Sequence, residues 1–312
     1  MGKMLYIDAQ TGISGDMTVA ALLDLGADVE GLQKVLDGLK VDGFKINVSR
    51  VKKAGLDCCD FDVVLDHDHE NHDHDMDYLY GHNHDHENDN HEHEHHHEHG
   101  HHHEHEHHHE HGHNHDHEHE HHHEHEHEHH HDHGHHHEHR GFYDIKQIIE
   151  ASTLTDRAKT IAIRIFEIIA LAEAKAHGEE FEHVHFHEVG AVDSIVDVIS
   201  VAYAIDNLDI TEVVVPFLCE GQGSVRCQHG ILPIPVPAVT NIVAEHGINL
   251  NIQNVYGELV TPTGAAIVAA IKTSDKLPHS FKILKAGMGA GKRTYERPGI
   301  LRTMLIQPVS QK

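Results

Sequence analysis

The chain has 312 residues, a formal charge of −29 and 38% apolar positions, a thin apolar share for a globular protein until the polar residues are located. Residues 67–139 hold 38 of the 45 histidines and 22 of the 52 acidic residues, with no Lys or Arg; the other 239 residues are roughly 48% apolar with a charge of −7, an ordinary core composition. An acidic core beside an acidic tract offers phosphate no basic footprint, and no run approaches 18 consecutive apolar residues, which excludes nucleic-acid binding and membrane spanning.

The N-terminus opens as a strand, Met4-Leu5-Tyr6-Ile7-Asp8, rather than as a charged leader, and the chain is expected in the cytoplasm. A glycine loop through Gly12, Ser14 and Gly15 then leads to an apolar-periodic helix from Met17 to Leu25, ended by Gly26. Asp8 at a strand end and Asp16 at a helix start are candidate ligands of a metal or a phosphate-bound metal, with Gly12, Ser14 and Gly15 as candidates for holding the bound group. The same residues suit plain helix capping, with Asp8 merely solvated. A helix over Val29–Leu39 and two strands, 44–51 and 59–65, follow, and the strands predict a hairpin. Cys58, Cys59, Cys219 and Cys227 make neither a disulfide framework nor a CxxC zinc pattern, and are expected to be reduced, partly buried thiols.

The histidine-rich tract comes next. Ordering its 73 residues costs on the order of 70–150 kcal/mol in backbone entropy. Met76, Tyr78, Leu79 and Tyr80, its only apolar side chains, return at most about 12 kcal/mol, so the tract is expected to stay disordered. Imidazole alternates with carboxylate, as in His91-Glu92-His93-Glu94-His95. That pattern makes an exchangeable reservoir for nickel, zinc or copper rather than one rigid site.

Beyond Arg140 the periodicity predicts a helix near Tyr143–Glu150 and a long one over Asp156–His177, with Ile161, Ile165, Ile168, Ile169 and Ala172 on its buried face. In an extended strand His183, His185 and His187 share one face while Val184 and Phe186 take the other. Past Gly190 the pattern turns helical, placing Asp193 and Asp197 four apart on one face. Imidazoles and carboxylates converging there would suit nickel, manganese or iron better than a structural zinc; the alternative is a polar strand beside an ordinary capped helix. His229, before the rigid Pro233-Ile234-Pro235-Val236-Pro237 segment, is a candidate ligand or general base, or a turn-stabilising residue. Thr261 at an N-cap, with Thr263 and Gly264 in the first turn, offers an anion seat or plain capping. Gly287-Met288-Gly289-Ala290-Gly291-Lys292 lacks the first glycine and the final Ser or Thr of a phosphate loop. Strands and helices do not alternate regularly, which predicts an α+β core with a mixed sheet in two parts, 1–66 and 140–312, interrupted by the insert 67–139.

Five segments, Asp8 to Leu25 (DAQTGISGDMTVAALLDL), His183 to Asp197 (HVHFHEVGAVDSIVD), His229 to Pro237 (HGILPIPVP), Glu258 to Ala266 (ELVTPTGAA) and Gly287 to Arg302 (GMGAGKRTYERPGILR), together resemble the LarC nickel-insertion family, in its order and with its histidine-rich insert. The resemblance implies a nickel chelatase or cyclometallase that delivers Ni(II) to pyridinium-3,5-bisthiocarboxylic acid mononucleotide. Its product is the nickel-pincer cofactor, with two Ni–S bonds and one Ni–C bond, destined for lactate racemase apoprotein. It also implies coupling to CTP with Mn(II) or Mg(II), through a C-terminal family domain that longer members carry and that is expected here in cis or in trans. This chain ends at Lys312 and is expected to be a split-gene product or a truncation. Making the Ni–C bond requires loss of a ring proton, for which His229 and Glu188 are the candidate bases. Two other classes fit part of the pattern: a nickel storage or chaperone protein, and a metal-dependent phosphoester hydrolase built on Asp8, Asp16 and the histidine strand.

Overall fold

A computed structural model describes residues 2–66, 140–184, 186, 191–227 and 229–309; the tract 67–139, His185, His187 and Glu188 lie outside the described residues. The strands are β1 (Lys3–Asp8), β2 (Phe44–Lys53), β3 (Leu56–Leu65), β4 (Ile210–Val214), β5 (Leu218–Gln222), β6 (Ser224–Cys227), β7 (Gly230–Pro233), β8 (Leu250–Tyr256), β9 (Phe281–Ala290) and β10 (Ile300–Pro308). The helices are α1 (Gly15–Asp24), α2 (Val29–Asp37), α3 (Phe142–Ala151), α4 (Asp156–His177), α5 (Val192–Asn207), α6 (Pro237–Glu245) and α7 (Pro262–Ile271).

The fold is α+β around a mixed six-stranded sheet in the order β2-β3-β9-β10-β1-β4. β1 runs antiparallel to β10 and parallel to β4, so the first and last strands of the described chain are neighbours. The expected hairpin forms between β2 and β3. Its two-residue turn, Ala54-Gly55, has both φ angles positive, matching the right-handed twist of the strands it joins. Two small ribbons lie outside this sheet, the parallel pair β5 and β8 and the antiparallel pair β6 and β7.

α1 is buried along nearly its whole length and packs on β9, β3 and α5. The contact with β9 explains the glycine-rich run. A Cβ at Gly287 or Gly289 would press into the backbone of α1 at Ala21 or Met17, so these glycines let a strand and a helix touch main chain to main chain. α4 spans the range that its apolar period predicts, capped by the Thr155 hydroxyl, which accepts the Ala158 amide, and ended by left-handed Gly178. It packs on α5, α6 and α7, and its C-terminal turn carries Glu173 and His177 to the candidate site.

One expectation needs correction. Residues Phe181–His183 form a single 3-10 turn, not an extended strand, and His183 is exposed there. The cause is aromatic packing: the Phe181 ring sits 5.1 Å from Phe142 and 6.4 Å from Tyr143, drawing the turn onto α3. Val184 and Phe186 are buried, with Phe186 packed 6.0 Å from Phe166.

Candidate functional site

The structure brings together residues from distant segments at two places. At the first, the N-terminus of α1 meets α5. Asp16 and Asp197 are half-buried there, and Asp193 lies close enough for its charge to act on Asp197. Gly15 is small by necessity, since a Cβ would collide with the Asp197 carboxylate. Burial raises Asp16 above the ordinary carboxylate range, against the Ser14 hydroxyl, which donates to Asp16 Oδ1, and the Lys292 charge. Asp197 is raised well above that range by burial first and then by Asp16 and Asp193. Its Oδ1 is buried without a hydrogen-bond partner. Burial pulls Lys292 down, but Asp62 at 2.5 Å and the charges of Asp16 and Asp197 outweigh it and hold the ammonium up. Oxygen donors suit a hard divalent cation by type, but among the described residues no three His, Cys, Asp or Glu side chains are grouped so as to hold one.

Asp8 is not brought to this cluster. Arg302 on β10 takes its carboxylate, with Nε 3.0 Å from Oδ2, and Asp8 is buried in that ion pair. Gly12, expected in a ligand-holding loop, instead allows the loop to lie against the segment before α7. Ile13 N–H donates to Leu259 O at 2.8 Å and Thr261 N–H donates to Ile13 O at 3.1 Å. A Cβ at Gly12 would strike the Leu259 carbonyl, and one at Gly264 the Ile13 carbonyl. Thr261 caps α7, its hydroxyl accepting the Gly264 amide at 3.1 Å, and Thr263 is buried in the first turn. The two loops read separately in the sequence are therefore one zipped unit. Gly264→Ala is expected to destabilise the protein by about 1–3 kcal/mol in urea melts, the range for overpacking against rigid main chain; an unchanged midpoint would show that the two loops part readily.

Beneath that unit lies a carboxylate that sequence reasoning missed. Glu220 on β5 is fully buried, and its Oε1 accepts amides from Gly221 at 2.7 Å, Leu259 at 2.7 Å and Val260 at 3.2 Å. Its Oε2 is buried without a hydrogen-bond partner. Burial pushes Glu220 up to about 7, against the pull of those amides and with help from Glu258. The sequence signal was a lone acid inside the short buried run Leu218–Gln222, but two of its three amide partners sit some 40 residues away.

The second place is a cleft of about 190 Å³ bordered by the end of α4, the β6–β7 ribbon and the starts of α6 and α7. Phe186, Val225, Leu232 and Val236 supply an apolar wall. Arg226, Arg293 and Glu258 supply a polar one, with Arg293 Nη1 2.8 Å from Glu258 Oε2. His229 opens into the cleft beside Cys227 and His177. Its imidazole is held below the usual histidine range by burial and by His177, and so stays neutral at pH 7, able to accept a proton or a metal. His177, Cys227, Arg226, Arg293 and Glu258 were not singled out as site residues in the sequence, although Glu258 and Arg293 lie inside two of the family-like segments and Cys227 was read only as a thiol.

A family model described as nickel insertion protein matches residues 5–312. A protein of Alkaliphilus metalliredigens named pyridinium-3,5-bisthiocarboxylic acid mononucleotide nickel insertion protein is 45% identical over 98% of this chain and 61% of its own length. Proteins of the same name from Acetivibrio thermocellus and Staphylococcus epidermidis are 34% and 33% identical, over 97% and 98% of this chain and 60% of their own lengths. The chain thus spans about three-fifths of the length of these curated relatives. No solved structure matches.

Proposed function

From the premise that the chain belongs to the nickel insertion protein family, we propose that it binds Ni(II) and a pyridinium-3,5-bisthiocarboxylic acid mononucleotide and joins them into the nickel-pincer cofactor used by lactate racemase. The observation that carries this reading is the two-sided cleft. A pyridinium mononucleotide has a flat ring, a phosphate and two anionic thiocarboxylates. The apolar wall of Phe186, Val225, Leu232 and Val236 suits the ring, while Arg226, Arg293 and the start of α7 suit the anionic groups.

The chemistry asks this chain for three things. The tract 67–139 concentrates nickel. The cleft orients the substrate so that its sulfurs meet the ion. A neutral imidazole at His229 accepts the ring proton as the Ni–C bond forms, with Glu188, outside the described residues, as the other candidate. The Asp16, Asp193 and Asp197 carboxylates offer the oxygen donors and the stranded Asp197 Oδ1 that a hard ion such as Mg(II) or Mn(II) takes, and would have to draw together to hold it. Such an ion would supply charge neutralisation for a nearby phosphate. Thr261, Thr263 and Gly264 hold the start of α7 in place, and His183, His185 and His187 remain candidate stops for nickel between tract and cleft. CTP coupling we assign to the portion of the relatives' length that this chain does not span, supplied in cis or in trans.

The test is mass spectrometry of the pyridinium bisthiocarboxylic acid mononucleotide after incubation with nickel-loaded protein, with CTP and the C-terminal family portion present or withheld. The expected product has gained one nickel and lost the ring proton. Nickel binding with no product under any of these conditions would reduce the chain to a storage protein. Arg226→Met is expected to weaken binding of the mononucleotide at least about tenfold, the loss of one charge-assisted contact. Binding of the dephosphorylated nucleoside should not change; if both weaken equally, Arg226 shapes the cleft and does not hold the phosphate.

A further inference from the structure

The inner wall of the cleft carries a line of donors that the family match does not assign. Glu173 and His177 lie one turn apart near the end of α4, with His177 Nε2 3.5 Å from Glu173 Oε2. The His177 ring centre is 4.8 Å from that of His229, which sits where β6 turns into β7. His229 Nδ1 is in turn 3.9 Å from Cys227 Sγ. Of the four cysteines, Cys227 is the one that is not buried; Cys58, Cys59 and Cys219 are.

We propose that Cys227, His229 and His177 form a thiolate–imidazole station in the cleft that takes one Ni(II) ion and passes it to the substrate's sulfurs. The distances fit an ion shared between neighbours. Metal–sulfur and metal–nitrogen bonds of about 2.3 and 2.1 Å place the two donor atoms about 3.1 Å apart at a right angle and about 3.6 Å apart at a tetrahedral one. The pair in the structure needs to close by only a few tenths of an ångström from 3.9 Å. Two imidazoles bound to one ion stand ring beside ring, as His177 and His229 already do. No three such side chains among the described residues are yet closed around one point, so the third ligand swings in as the ion arrives. An incomplete shell suits a cargo ion, since it leaves positions open for incoming sulfur. The donor set is also right for the metal: thiolate and imidazole favour nickel, whereas the all-oxygen Asp16 cluster favours harder ions.

The step balances without a redox partner. Ni(II) binds as Cys227 releases its thiol proton to water. When the substrate arrives, the Cys227 Sγ–Ni bond breaks as a thiocarboxylate S–Ni bond forms, and Cys227 recovers a proton from water. His229, freed from the ion in the same exchange, becomes the imidazole nearest the ring proton. One side chain thus serves first as ligand and then as base.

This inference rests on the nickel-insertion reading, and the experiment separates the two. The tract 67–139 contains no cysteine, so sulfur-to-nickel charge-transfer absorption in the near ultraviolet reports on the core even in the full chain saturated with Ni(II). The wild-type protein is expected to show that band. Cys227→Ser should lower it at least tenfold, His229→Ala and His177→Ala should each weaken or shift it, and Cys58→Ser and Cys219→Ser should leave it in place. No band in the wild type, or an undiminished band in Cys227→Ser, overturns the station. If the band follows Cys227 but no nickel reaches the mononucleotide, the station stands and the insertion reading falls. If Cys227→Ser inserts nickel at the wild-type rate, the station falls and the insertion reading stands.

Discussion

Asp197→Asn is expected to make the protein more stable at pH 7.5, raising the melting temperature by about 2–8 °C, the shift that ~1–2 kcal/mol produces in a core of this size. The sign follows from linkage. Burial, then the charges of Asp16 and Asp193, raise the Asp197 carboxyl well above its ordinary value in the folded state. Below about pH 4 folded and unfolded chains both hold the proton, and its contribution to stability is fully present. As pH climbs from there the unfolded chain releases the proton while the folded chain keeps it. Stability therefore falls until pH passes the raised folded value. Asparagine removes that penalty and still accepts the Asp16 backbone amide that Asp197 accepts. The gain should be near zero at pH 4 and grow towards neutrality. If the cluster takes up an ion, added Mg(II) or Mn(II) should stabilise the wild type and not the variant, because an ion that binds only the folded state stabilises it by mass action. A variant that melts below the wild type at pH 7.5 would make Asp197 a structural carboxylate and remove the cluster from the candidate ion sites.

Deleting residues 67–139 is expected to cut the nickel held per chain from on the order of ten ions, at two or three imidazoles each, to one or two, while the remaining core melts cooperatively near the wild-type temperature. The tract holds 38 of the 45 histidines, so capacity follows it. The residues that border it are tied into the core independently of it. Asp66 N–H donates to Gly43 O at 2.9 Å at the base of the β2–β3 hairpin, and Arg140 O accepts the Phe186 amide at 3.3 Å. Insertion should survive deletion when nickel is abundant and fail when it is scarce. In the full chain the stored nickel should leave over about pH 7 to 5.5, because protonated imidazole does not ligate. Loss of the cooperative melt on deletion would show that the tract belongs to the fold, and a capacity unchanged by deletion would locate the nickel elsewhere.

Much of the architecture was legible in the sequence where its cause is local. The α4 boundaries follow from apolar period, a threonine cap and a terminal glycine, all carried within its own residues. The β2–β3 hairpin follows from two β-rich runs joined by a short turn. The compositional break at 67 and 139, the α+β class and the resemblance to a nickel-insertion family are likewise properties of the chain read in order. The local reading of His183 went astray because Phe181 found its partners on α3, some 40 residues earlier, and aromatic packing outweighed a weak strand pattern.

What only the tertiary structure decided is which side chains meet. Asp8 and Asp16 look like one site in the sequence, yet Arg302, almost 300 residues away, claims Asp8, while Asp197 joins Asp16. Glu220 has no distinguishing neighbours in sequence and becomes notable only when the Leu259 and Val260 amides converge on one of its oxygens and strand the other. His177 and His229 are 52 positions apart and stand tilted against each other in one cleft, bordered by the end of α4 and the β6–β7 ribbon. Local propensity acts through a residue's own backbone and its neighbours within a turn or two, so it is written in the sequence. A site is made by the burial and mutual distance of groups on different elements, and those exist only once the core has closed around them.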